Sequence, residues 1–245
     1  LQCQFCFAIY LRLLSRASNF KAGIYQLDQN ITAPDLVEKV INGDVLQQEL
    51  IIKEGQTSLD IIKELNSKPF IEKSSSIVND FIKQCDLCSS NMEGALLADT
   101  YFFNAGSNSI DVLQRSYQAL IKVLNEIWLN RQLNLPYKNY YELLIAASII
   151  EKEAANKAEK EIISAVIVNR LRKNMRLQMD PTVIYGLGDK YKFPLTKKDL
   201  HVTSPYNTYL HKGLPPTPIC NVGLDALYAA SQPKAVDYLY FVANE

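Results

Sequence analysis

The sequence predicts an α+β protein, with a small α+β module followed by a larger α+β domain. Three observations predict it. Strand-like and helix-like text alternates across residues 20–65. A Ser-rich stretch at 68–91 separates this part from the rest. Beyond it come long apolar-periodic segments interrupted by short extended ones. The expected division is a helical lead-in over 1–19, a small module over 20–72 and a large domain over 73–245.

Residues 4–17 have apolar positions at three- and four-residue spacing and read as a short helix. Within 20–27, Gly23 is expected to start a short strand after a turn. Thr32-Ala-Pro-Asp35 is a helix start, with a capping Thr, Pro in the first turn and an acid after it. That helix, over 36–41, stops at Asn42-Gly43. A strand follows over 46–53. Thr57-Ser-Leu-Asp60 resembles a capping box with Asp in place of Glu, and opens a helix through Leu65. The segment 68–91 reads as a linker holding one helical piece, 77–82. Glu93-Gly94 then leads into an aromatic strand over 99–103. A long amphipathic helix is expected over 112–133, with Trp128 on its core side, and Pro136-Tyr137 breaks it.

The helix over 142–153 carries the most informative residue. At about 100° per residue, Glu151 falls at the edge of the polar sector with Ser148 and Lys152. Glu153 falls instead among Ala146, Ile149 and Ile150. A carboxyl there is costly unless paired or protonated, and desolvation raises its pKa toward that of a proton donor near neutrality. A salt bridge from Glu153 to Arg170, Arg172 or Arg176 is the alternative reading. A second helix over 158–171 is expected to pack on the first and to end at Asn174. Residues 180–185 read as a turn followed by a strand, closed by Gly186-Leu-Gly188. The prolines over 213–219 make a stiff extended loop. A short helix is expected over 224–231 and a final strand over 238–242.

Composition narrows the chemistry. Lys+Arg and Asp+Glu both number 26, so no overall charge draws nucleic acid. A neutral polysaccharide or a peptide fits better. No window holds the ~20 apolar residues of a spanning helix. The chain has no initiator Met and ends just after strand-like text, which leads us to expect a piece of a longer protein. The cysteines fall as Cys3/Cys6, Cys85/Cys88 and a lone Cys220, which leaves a zinc site, a local disulfide and an inter-pair disulfide open. His201 and His211 are the only histidines, and no HExxH, GxSxG or phosphate-binding loop is present. What remains is carboxylate chemistry on an extended neutral substrate. Glu153 is the best-placed acid, with Asp99, Asp180 and Asp189 as candidate second carboxylates.

At Ala147-Ser-Ile-Ile-Glu-Lys-Glu153, Asn169-Arg-Leu171, Met175-Arg-Leu-Gln-Met-Asp-Pro-Thr-Val-Ile-Tyr-Gly186 and Tyr206-Asn-Thr-Tyr209, the chain resembles the MltG/YceG-like family. Its members are endolytic peptidoglycan (murein) lytic transglycosylases. Gly213-Leu-Pro-Pro216 and Tyr238-Leu-Tyr-Phe-Val242 match in order and spacing. The resemblance runs from about Phe20 onward and implies that the small module is LysM-like and binds glycan. It makes Glu153 the catalytic residue, cutting the β-1,4 bond from N-acetylmuramic acid to N-acetylglucosamine and leaving 1,6-anhydro ends. It also implies that Gln178, Asp180, Tyr185, Asn207 and Tyr209 shape the sugar cleft, and that no metal or cofactor takes part. The implied partners are peptidoglycan strands and the synthases that make them. The implied setting is an inner (plasma) membrane anchor upstream of this chain, with the catalytic domain on the periplasmic or outer side. Three features depart from the family: the segment Ala95-Leu-Leu-Ala98, which the resemblance places in a cleft wall, the Cys85/Cys88 insert, and the text missing after the last strand. Two rival readings stand beside this one, a hydrolase using Glu153 with Asp180 and a non-catalytic glycan-binding scaffold.

Overall fold

A computed structural model describes residues 19–88 and 91–241. The expected helix over 4–17 and the Cys3/Cys6 pair lie outside them. The described elements are α1 (Ala33–Asn42), β1 (Gln47–Ile51), α2 (Ser58–Ser67), α3 (Ile77–Ile82), β2 (Thr100–Asn104), α4 (Ser109–Leu129), α5 (Tyr140–Glu153), α6 (Lys157–Arg172), α7 (Asp180–Leu187) and α8 (Leu224–Ser231), with single 3-10 turns at Gly188–Lys190 and Asp199–His201. Helix and a small sheet together make the architecture α+β.

Local chemistry sets most helix ends. Thr32 and Thr57 cap α1 and α2 by accepting the N–H of Asp35 and Asp60. Asn139 and Asn156 do the same for α5 and α6, accepting from Glu142 at 3.0 Å and Glu159 at 3.1 Å. Each of those glutamates reaches back to a backbone N–H just before the helix, Lys138 at 2.7 Å and Ala155 at 2.9 Å. Gly43 closes α1 at φ 78, a conformation that favours glycine, and donates to Lys39. Helix α4 stops four residues before the expected end, leaving Leu129 and Leu133 80% and 88% exposed. Trp128 sits half-buried against the core with the Arg131 guanidinium 3.6 Å from its ring centre.

β1 and β2 pair antiparallel, with Leu50 opposite Tyr101 and Gln48 opposite Phe103. Tyr101 and Phe103 point inward, while Thr100, Phe102 and Asn104 point out, the two-residue period of a half-buried strand. The pair and helices α2, α3 and α4 enclose a core that includes Leu50, Ile61, Leu65, Phe81 and Leu113. Residues 71–92 contribute Ile71, Ile77, Phe81, Cys85 and Met92 to it, so packing runs unbroken across the boundary expected at 72/73. Cys85 and Cys88 are joined in a disulfide. The larger core is built around α5, which touches α4, α6, α7 and α8. Ala95 and Leu96 belong to the first core and Leu97 to the second, so this segment fills the seam between them. Among the described residues no helix is long and apolar enough to cross a membrane.

Three expected strands take other forms. Residues 20–27 form no strand; Ile24 accepts one bond from Leu46 at 2.8 Å and Lys21 donates one to Val40 at 3.3 Å. Residues 238–241 are irregular as well, because side chains rather than a neighbouring strand bind their carbonyls. Asn169 Nδ2 donates to Val236 and Tyr238, and Arg170 Nε donates to Leu239 at 2.7 Å. Residues 180–187 are helix rather than turn and strand. The β-branched Val183-Ile184 favours a strand locally, but Pro181 suits a first helical turn and Thr182 and Val183 are buried by tertiary packing.

Candidate active site

Helix α5 is buried on nearly every side, from Leu143 to Glu151. This overturns the expectation that Glu151 faces water. The prediction assumed one polar face, and a central helix has none. Glu151 is 9% exposed, and one carboxyl oxygen accepts from Lys160 Nζ at 2.5 Å. The other accepts the Gly223 N–H at 3.0 Å. The pair is therefore desolvated but hydrogen-bonded, and Lys160 also meets the exposed Glu54 carboxylate at 3.5 Å.

Glu153 ends the same helix and is half-buried. Burial pushes its pKa from 4.5 up to about 7; the Asp180 carboxylate adds to the rise, while the Asp180 N–H and the Arg170 charge oppose it. Arg170 does not neutralise it as an ion pair. Its guanidinium is held by the carbonyls of Leu177 and Leu239, and Arg172 is held by Asn134. No ion pair among the described residues joins Glu153 to Arg170, Arg172 or Arg176, so the salt-bridge alternative fails. Helix α7 brings in Asp180 as its first residue. The Asp180 carboxylate accepts from the Tyr209 phenol at 2.6 Å, and that phenol is held neutral by burial and by the two neighbouring carboxyls.

The turn carrying Tyr209 is locked to the strand-like approach of α7. Gln178, at φ 50, donates its N–H to Thr208 at 3.1 Å. Met179 donates to Thr208 Oγ1, which also meets Thr182 Oγ1 at 2.8 Å. Asn207 is fully buried, donates to the Leu200 and Val202 carbonyls, and accepts the Tyr209 N–H at 2.9 Å. Its side chain therefore ties loops together, while the Gln178 residue lies exposed beside Asp180. Gly186 allows α7 to approach this turn, since a Cβ there would lie 2.5 Å from Ser204 Oγ. Glu153, Asp180 and Tyr209 form one cluster, which Gln178 borders through its backbone N–H and Asn207 through its side-chain amide.

Tyr185 lies at the other end of α7. Its ring meets Tyr206 edge-on at 4.8 Å, and its phenol donates to Glu93 at 3.4 Å. Glu93 is the residue that the sequence reading missed, taking it only as part of a turn before β2. Burial raises its pKa against the opposing hydrogen bonds from Ser58 and the Gly94 N–H. A Glu set between Met92 and the apolar run from Ala95 is the signal that could have flagged it. The other two candidate acids stay apart. Asp99 is exposed and accepts the neighbouring Thr100 N–H, and Asp189 is exposed in a 3-10 turn. A cavity of about 560 Å³ opens at the far end of α5, lined by Tyr141, Glu142, Ile145, Lys212 and Pro215 among others, and Glu153 is not part of its wall.

This chain is similar to proteins of known name along most of its length. It is 33% identical over 250 residues to the endolytic murein transglycosylase of Bacillus subtilis, covering 93% of this chain and 68% of that protein. It is 24% identical to the Streptococcus pneumoniae (D39) protein of the same name, again covering 93% of this chain but only 47% of the relative. A crystal structure of a YceG-like protein from Listeria monocytogenes superposes with a TM-score of 0.65 at 32% identity, covering 98% of this chain and 84% of that one. The YceG-like family pattern matches residues 2–245, and the chain belongs to that family.

Proposed function

We propose that this chain is an endolytic murein lytic transglycosylase in which Glu153 serves first as general acid and then as general base. The observation that carries this is a carboxyl at the end of a buried helix, held protonated to about pH 7 beside Asp180 and Tyr209. Glu153 gives its proton to the glycosidic oxygen as the bond to muramyl C1 breaks. The Asp180 N–H favours the carboxylate left behind and steadies it while it is charged. It then takes the proton of the muramyl 6-hydroxyl as that oxygen bonds to C1 and closes the 1,6-anhydro ring. The acid is restored and no water is consumed. One carboxyl suffices because the nucleophile belongs to the substrate.

In this reading Asp180 tunes Glu153, Tyr209 holds Asp180, and Gln178, Tyr185 and Asn207 shape the sugar groove. Residues 20–72 act as a LysM-like glycan-binding module, which the resemblance at Phe20-Lys-Ala-Gly-Ile-Tyr25 supports. An inner-membrane anchor upstream, an outward-facing catalytic domain and a neighbouring peptidoglycan synthase belong to the same proposal and rest on the resemblance.

Digestion of purified murein followed by mass spectrometry tests it. The expected products end in 1,6-anhydro-muramic acid, and Glu153→Gln removes them while leaving glycan binding intact. Asp180 beside Glu153 favours one rival, a two-carboxylate hydrolase, and reducing muramic ends would establish that instead. No turnover by the wild-type protein, together with retained binding, would leave only a scaffold.

A further inference from the structure

Glu93 has no part in the proton transfers above, yet it joins three distant segments. Its Oε1 accepts the Ser58 N–H at 2.9 Å, at the start of α2. Ser58 Oγ lies 3.2 Å from the same oxygen, but it already donates to the Met92 carbonyl at 2.9 Å. Asn221 Nδ2 lies 3.4 Å from Oε1 as well. The orientation of the Asn221 amide is set by its oxygen, which accepts the Leu96 N–H at 2.9 Å, so its NH₂ must face Ser58, Gln56 and Glu93. Oε1 thus sits among fixed donors. Oε2 faces the Tyr185 phenol.

The hydrogens then have only one consistent arrangement when Glu93 is ionised. The Tyr185 proton points at Oε2, and the phenol oxygen turns its lone pairs away from Glu93. A sugar hydroxyl or an acetamido N–H is the kind of donor that such an oxygen receives. We propose that Glu93 is a positioning residue of the murein-cleaving site, holding Tyr185 as a hydrogen-bond acceptor for the glycan and linking that tyrosine to the N-terminal module through Ser58 and Asn221. The inference rests on the transglycosylase reading of the Glu153 site.

The test is a double-mutant cycle read by release of 1,6-anhydro ends, with thermal melts of every variant. Glu93→Gln keeps an acceptor for Ser58 but turns an N–H toward Tyr185, so the phenol proton swings to the side that would meet the glycan and the oxygen no longer accepts there. It should raise KM about tenfold, the size of one hydrogen bond, while kcat changes little. Tyr185→Phe should do the same, and the double variant should be no worse than either single one. Glu93→Asp, which keeps the charge, serves as a second probe should Glu93→Gln not fold, and it should show the same lack of additivity with Tyr185→Phe. A folded Glu93 variant with wild-type KM, or losses that add, would overturn the inference. A wild-type protein that releases no anhydro ends would instead overturn the transglycosylase reading.

Discussion

The backbone N–H of Asp180 lowers the Glu153 pKa, while the side chain of that same Asp180 raises it. One residue thus opposes itself. Its N–H favours the charged form of Glu153 and its carboxylate disfavours it, with burial tipping the balance toward the acid.

The rate should follow this balance. Proton donation needs the acid form, so kcat is expected to fall as pH rises through about 7. Asp180→Asn removes the neighbouring negative charge and should move that alkaline limb to lower pH. A pH profile of kcat for the two proteins decides it, and an unmoved limb counts against Asp180 as the tuning residue.

Stability should carry the same signature with a definite sign. Between pH 4.5 and about 7 the folded protein keeps a proton that the unfolded chain has lost, so Glu153 makes stability decline as pH rises through that window. Glu153→Gln removes the decline. The variant should match wild type at pH 4 and exceed it at pH 8, by at most about 3 kcal/mol, the difference between about 7 and 4.5. Urea denaturation at the two pH values measures this.

Lys160 and Glu151 give a third expectation. Both are buried, so Lys160→Met leaves a carboxylate stranded in the core and should cost about 3–5 kcal/mol. Adding Glu151→Gln should recover much of that loss. Denaturation of the single and double variants checks it, and simple additivity would mean the pair is not coupled.

How much of this was legible in the sequence depended on distance along the chain. The caps at Thr32 and Thr57, the stop at Gly43 and the helix ending in Glu153 all follow from residues within a turn of one another. Glu153 could be picked out because helical periodicity alone placed it beside Ala146, Ile149 and Ile150. Residues 180–187 could not be read the same way. Their β-branched text favours a strand, and the hydrogen bonds that hold the start of α7 come from Thr208, 29 residues from Met179.

The sequence by itself determined the α+β class, the family resemblance and the acid at position 153, since each is written in short-range pattern and motif. Only the tertiary structure decided that Glu151 is buried against Lys160, that residues 238–241 dock through Asn169 and Arg170 instead of forming a strand, and that Glu93 meets Tyr185, 92 residues away. The reason is physical. A side chain's periodicity says which way it faces, but its desolvation and its hydrogen-bond partners are set by segments that local sequence does not see.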